Sequence, residues 1–194
     1  MENMGVICKE TEHTDWVSPI VIVPKKDGKI RVCLDPIQLN KATQREHYQL
    51  PTRDEIHAKF KAAHYFSKLD ARTGFWQMKL DQNSSKLTCF NTPFGRYRFL
   101  RLPFGITSAP EIYHRTIHMI YEHIPGCTTM MDDIIVWGST LQEHNQRLQQ
   151  VFDASRKSNL KLNREKCVFG VKEHSSVTLY LQKESSQTRP RSRP

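Results

Sequence analysis

Two runs rich in β-branched residues, Ser18 to Pro24 and Lys29 to Leu34, flank Lys25-Lys26-Asp27-Gly28. Asp-Gly between such runs marks a hairpin, because glycine readily supplies the positive φ of a tight turn. Two lysines and Arg31 are therefore expected on a protruding basic hairpin. Thr52-Arg53-Asp54-Glu55 then has the form of a capping box, with Ile56 and Phe60 at i and i+4, predicting a short helix. Tyr65 to Asp70 reads as the strand that follows. Beyond the turn-rich Thr92-Pro93-Phe94-Gly95 and Leu102 to Ile106, a second capping box, Ser108 to Glu111, opens a helical pattern at Ile112, Tyr113, Thr116, Ile117 and Ile120. Pro125-Gly126 ends that helix. Thr128 to Gly138 is an apolar stretch that turns back on itself at Asp132-Asp133. A third box, Thr140 to Glu143, opens a helix with inner face Leu141, His144, Leu148, Val151, Phe152 and Ser155, and Cys167 to Val171 reads as a last strand.

From Asp70 onward the order is strand, helix, strand, tight turn, strand, helix, strand. This is the βαββαβ arrangement of a ferredoxin-like sheet, an α+β fold. In that topology the first strand lies beside the central hairpin, so Asp70 and the pair Asp132-Asp133 would meet across about sixty intervening residues.

Charge narrows the picture. The chain of 194 residues carries a formal +9 with a pI near 9.4, which points to a polyanionic partner. At 38% hydrophobic and a mean hydropathy of -0.61 it is lean for one large or two small domains. Cys8, Cys33, Cys89, Cys127 and Cys167 are odd in number and scattered, without a Cys-x-x-Cys pair. They read as reduced, mostly buried small hydrophobes, which indicates neither a disulfide framework nor a zinc site. His114 and His118 share a helical spacing but lack a third ligand. No apolar leader and no membrane-length run occurs, so the expectation is a soluble intracellular protein with no membrane partner.

Carboxylates set into β-branched and aromatic sequence are costly unless a cation compensates them. An isolated Asp-Asp turn is also what a solvated hairpin tip looks like. A third aspartate at the matching place in the sheet favours metal ligation: phosphoryl transfer from a nucleoside triphosphate needs an activated hydroxyl and charge neutralisation, which two metals held by two or three carboxylates supply.

From about Gly5 to Val171 the chain resembles the fingers and palm of reverse transcriptases of gypsy-type long-terminal-repeat retrotransposons. The matching segments are Trp16 to Pro19, Lys25 to Arg31, Leu34-Asp35 with Leu39-Asn40, Phe66 to Ala71, Gly74 to Gln77, Arg101 to Gly105 and Met131 to Asp133. The resemblance implies an RNA-directed DNA polymerase working on an RNA or DNA template-primer and deoxynucleoside triphosphates, with two Mg²⁺ ions, or Mn²⁺ in their place. It makes Asp70 and Asp132 the principal metal ligands, Asp133 a supporting carboxylate, and the Ala71 carbonyl a further ligand. Lys25 or Lys26, with Arg31, would grip the triphosphate. Phe75 would lie beneath the sugar and exclude a 2′-hydroxyl, with Phe104 beside the nucleotide. Gln77 and Gly105 would lie along the template and nascent pair, and Met130 and Met131 by the primer end.

Met130 stands where the family usually has an aromatic, so an altered primer contact is expected. By the same resemblance residues 1–15 form an extension, 16–64 the fingers with 78–107 as connection to the palm, and 65–171 the palm. No thumb or ribonuclease H segment is recognised. Residues 172–194 are polar and aperiodic and read as disorder. Read out of frame, Val177 to Pro190 can encode a segment resembling the family's next one, as a frameshift would produce. The competing expectation is a catalytically inactive remnant that binds nucleic acid through its basic surface.

Overall fold

The computed structural model describes residues 1–172 except 25–27, 29, 46–47, 49–51, 61 and 131. The chain forms two units, one made of Met1–Gln49 with Thr73–Arg115 and the other of Leu50–Arg72 with Thr116–Pro194.

In the first unit, β1 (Ile7–Lys9) pairs antiparallel with β6 (Gly95–Phe99), which pairs in turn with β5 (Phe90–Thr92). Within residues 1–15, β1 adds a strand to this sheet. Val6, Leu34, Phe90 and Phe99 form the buried core beneath it. β2 (Ile20–Pro24) and β3 (Ile30–Leu34) make the expected hairpin, with Pro24 opposite Ile30 and Gly28 at φ +75°. Both ends of its short loop lie outside the described residues. Two short helices escaped the sequence pattern: α1 (Ile37–Ala42) and α3 (Gln82–Leu87), the latter capped by the Asp81 carboxylate, which accepts from the Ser84 amide at 3.0 Å.

The second unit opens with α2 (Arg53–Ala58), where the capping box closes reciprocally. The Thr52 amide donates to Glu55 Oε2 at 2.8 Å and the Glu55 amide to Thr52 Oγ1 at 3.3 Å. Its sheet has the order β7 (Cys127–Met130), β8 (Asp133–Gly138), β4 (Tyr65–Asp70), β9 (Val168–Val171), every pair antiparallel. With α4 (Ala109–Tyr121) and α5 (Leu141–Lys157) between the strands in sequence, this is the ferredoxin-like order. Thr140 caps α5 through the Glu143 amide at 3.2 Å, while the Glu143 carboxylate reaches back to the Ser139 amide at 2.7 Å, one residue earlier than the motif suggests.

Two sequence expectations need correction. Leu141 is half exposed, because it sits in the first turn of α5, whereas His144, Val151 and Ser155 are buried as the spacing requires. Of the five free cysteines only Cys89 is fully buried and the others are partly so. The division into units runs through 49/50, 72/73 and 115/116. Among the described residues no helix is long and apolar enough to cross a membrane.

Candidate active site

Within the second unit, β4 and β8 pair so that Asp70 stands directly opposite Asp133. Opposed residues of an antiparallel pair project to the same side, and every second residue shares that side. Phe66, Lys68 and Asp70 of β4 therefore line one face with Trp137, Ile135 and Asp133 of β8. Its far end is apolar: Ile56, Phe60, Phe66 and Ile135 form a buried cluster, with Met130 and Trp137 packed against it. The Phe60 ring meets Phe66 at 5.3 Å and Trp137 at 5.0 Å, both edge-on. On the opposite face, buried His144 of α5 shares a 2.9 Å hydrogen bond with Ser67 Oγ, which also accepts from the Gly170 amide at 3.1 Å. The strand that carries Asp70 is thus held from both sides and from its neighbour.

The acidic end carries two ammonium partners of different character. Lys68 Nζ lies 3.0 Å from Asp133 Oδ2, and the two side chains are 5% and 6% exposed. Lys166 Nζ lies 3.4 Å from Asp70 Oδ2, but its side chain is 60% exposed. Asp132 occupies the turn and is exposed, and its carbonyl accepts from the Ala71 amide at 3.2 Å. The Asp70 carbonyl accepts from the Asn163 amide at 2.8 Å, and Ala71 bridges to Leu162, which fixes the end of β4. The thiol of Cys167 is pushed up, chiefly by burial, with the charges of Asp70 and Asp133 adding to the effect.

Asp70, Asp132 and Asp133 are therefore neighbours in the backbone, yet they do not form a ready cage. Among the described residues no three Asp, Glu, His or Cys side chains are grouped closely enough to hold a metal ion. Consecutive residues at a strand end point apart, and Asp133 is turned toward Lys68. The donors are all hard oxygens, the chemistry that Mg²⁺ and Mn²⁺ accept, so the residues present fit such ions. Sequence reading missed both lysines. Lys68 was recoverable, being two residues before Asp70 on the same strand face, while Lys166 had no local signal.

Arg31, Phe75, Gln77, Phe104 and Gly105 belong to the first unit. Arg31 sits with its guanidinium 4.6 Å from the centre of the Phe104 ring, and among the described residues its buried Nε meets no hydrogen-bond partner. Phe75 packs on Phe104 at 5.0 Å and on Tyr113 at 5.2 Å, with Trp76 6.3 Å from Phe104. Phe75, Trp76 and Gln77 lie on a single 3-10 turn (Gly74–Gln77), where the Gln77 carbonyl accepts from Arg101 at 3.2 Å. Gly105 adopts φ +109°, and a Cβ there would stand 1.8 Å from the Leu34 carbonyl oxygen. Met130, in the second unit, packs partly buried against its apolar cluster. Lys25, Lys26 and Met131 lie outside the described residues.

The family model for reverse transcriptase (RNA-dependent DNA polymerase) matches residues 23–187. The chain belongs to the reverse transcriptase family. That match runs past Val171, where the resemblance drawn from motifs stopped, so the family pattern extends into the polar tail. The chain is 36% identical over 180 residues to a retrovirus-related Pol polyprotein from transposon 297 of Drosophila melanogaster, covering 89% of this chain and 17% of that polyprotein. Against the corresponding protein from transposon 412 of the same fly, identity is 38% over 168 residues, covering 82% of this chain and 14% of the polyprotein. The chain thus spans less than a fifth of the length of these relatives. Among solved structures, a foamy viral protease-reverse transcriptase in complex with double-stranded DNA superimposes with a TM-score of 0.80 at 27% identity, over 87% of this chain and 29% of that one. The foamy viral enzyme in complex with an RNA/DNA hybrid gives 0.76 at 27% identity, over 85% and 22%.

Proposed function

We propose that this chain is the fingers and palm of a retrotransposon RNA-directed DNA polymerase of gypsy type, adding deoxynucleotides to a primer. The observation that carries the reading is Asp70 facing Asp133 across β4 and β8, with Asp132 at the adjoining turn. Asp70 and Asp132 would hold two divalent ions, which when bound lower the pKa of the attacking hydroxyl and neutralise the triphosphate. Arg31 would donate to phosphate oxygens, as guanidinium groups do. The Phe75 ring, backed by Phe104 and Tyr113, would set the floor of the sugar pocket and reject a 2′-hydroxyl. The template-primer partner rests on the formal charge of +9 and on relatives solved with double-stranded DNA and with an RNA/DNA hybrid.

Extension of oligo(dT) on poly(rA) with Mg²⁺, comparing the chain with Asp132→Asn, tests the reading. Extension that falls about 100-fold or more in the variant supports it. Template-primer binding without extension by the unaltered chain would instead identify a non-catalytic remnant.

A further inference from the structure

We propose that the turn joining β5 to β6 is a stacking platform for unpaired nucleobases, where Phe94, with Lys9 beside the loop, holds a single-stranded stretch of template. The inference deepens the template-primer reading above and rests on it for its ligand. Thr92 pairs with Gly95, so Pro93 and Phe94 form a two-residue loop. The Phe94 side chain is 81% exposed, more than any other large hydrophobic among the described residues, and it takes no part in the first unit's core. The loop that carries it is stiff. Pro93 has its φ fixed by its own ring, the Phe94 amide donates to Thr92 Oγ1 at 3.1 Å, and that hydroxyl donates to the Gly95 carbonyl at 2.8 Å. A ring held this way gives up little freedom when a partner stacks on it. Lys9, opposite Tyr97 on β1, lays its stem over Gly95, with Cε 3.3 Å from where a Cβ would stand. The acids close to it in sequence are taken, Glu10 by Arg98 and Glu12 by Lys86, each at 2.8 Å. Among the described residues Lys9 itself has no ion-pair partner. A stiff exposed ring beside an uncommitted cation is how proteins hold single strands, with a base on the ring and a phosphate on the ammonium. Paired bases offer no free face to such a ring, because stacking within the duplex covers both sides. A protein partner is disfavoured by area: one aromatic side chain buries about 150–250 Å², against roughly 800 Å² a side in a stable interface. β5 and β6 expose no second large hydrophobic to enlarge the patch.

Fluorescence anisotropy of the full chain provides the test, with a blunt template-primer, the same duplex carrying a 5′ template overhang of about eight nucleotides, and that overhang strand alone. Phe94→Ala is expected to weaken binding of the two probes with unpaired bases about tenfold and to leave the blunt duplex within about twofold. Phe94→Trp should keep the affinity and Phe94→Leu should not, since stacking needs a π-face. Lys9→Gln should reduce the slope of log K against log salt on the overhang strand by about 0.7, the share of one phosphate contact. An abasic overhang should bind the unaltered chain about tenfold more weakly than the natural one, and Phe94→Ala should make no further difference to it. Equal loss on the blunt duplex, full affinity in Phe94→Leu, or an unchanged Kd for the overhang in Phe94→Ala overturns the proposal. If circular dichroism shows that Phe94→Ala does not fold, the abasic overhang decides it, and equal binding of abasic and natural strands overturns it. If the unaltered chain binds no probe, the template-primer reading falls and this site with it. Overhang binding that depends on Phe94, without primer extension, would remove the polymerase reading and leave the site standing.

Discussion

Replacing Gly105 by alanine should unfold the first unit at a markedly lower temperature, and the structure sets the size of the effect. The residue has φ +109°, and an added Cβ would meet the Leu34 carbonyl oxygen at 1.8 Å, with the Leu34 carbon at 2.8 Å behind it. Both obstacles are backbone, so no side chain can turn aside. Ordinary contact requires the loop and β3 to part by about 1.5 Å. That movement breaks the 2.8 Å bond from the Leu34 amide to the Phe104 carbonyl and strains the 2.9 Å bond from Asn40 Nδ2 to the Gly105 carbonyl. Two hydrogen bonds at about 1 kcal/mol each, and strain of about 1–2 kcal/mol at positive φ, give a loss of roughly 3–4 kcal/mol. For a chain of this size the melting temperature should fall by roughly 6–16 °C. Gly28→Ala is the control, because φ there is +75° but nothing lies within 4 Å of the added Cβ, leaving only the conformational strain. Thermal melts followed by circular dichroism compare the two. If Gly105→Ala melts no lower than Gly28→Ala, the close approach of this loop to β3 is wrong. The outcome also bears on Gly105 as a template residue, since a structural demand for glycine is sufficient to explain it.

Other consequences are open to measurement. Ser67→Ala should cost about 2–4 kcal/mol in urea denaturation, because His144 Nε2 and the Gly170 amide both lose their partner; a loss below about 1 kcal/mol would contradict the role given to this hydroxyl. The Glu10 carboxyl is held below its ordinary value of 4.5, first by the Glu12 amide and then by Arg98 against the opposing effect of burial. A depressed folded pKa contributes stability above the unfolded value that disappears as pH falls through the folded one, so Glu10→Gln should narrow the gap between melts at pH 7 and below pH 4.5. An unchanged gap would remove Glu10 from the acid response. Burial pushes the Cys127 thiol up to about 12, so iodoacetamide at pH 8 should label it only on unfolding, as peptide mass mapping would reveal. Phe75→Ala should admit ribonucleotides in the primer-extension assay, and continued exclusion would show that the ring is not the barrier.

Local sequence determined the elements that depend on a few neighbouring residues. Asp27-Gly28 marked the hairpin, and the Thr52 and Thr140 caps marked α2 and α5. The stretch from Tyr65 read as the strand ending at Asp70. These signals are short-range sterics and hydrogen bonds, and they survive without a fold around them. The motif order also carried the family. Only the tertiary structure decided which charges meet. Lys68 takes Asp133 from a strand some sixty residues away, Lys166 reaches Asp70 from nearly a hundred, and Glu10 meets Arg98 through the pairing of β1 with β6. No local pattern encodes such contacts, because they exist only once chain closure has brought the strands into register. The same closure turned three similar aspartates into three different groups, one caged by a buried ammonium, one beside an exposed lysine and one facing water.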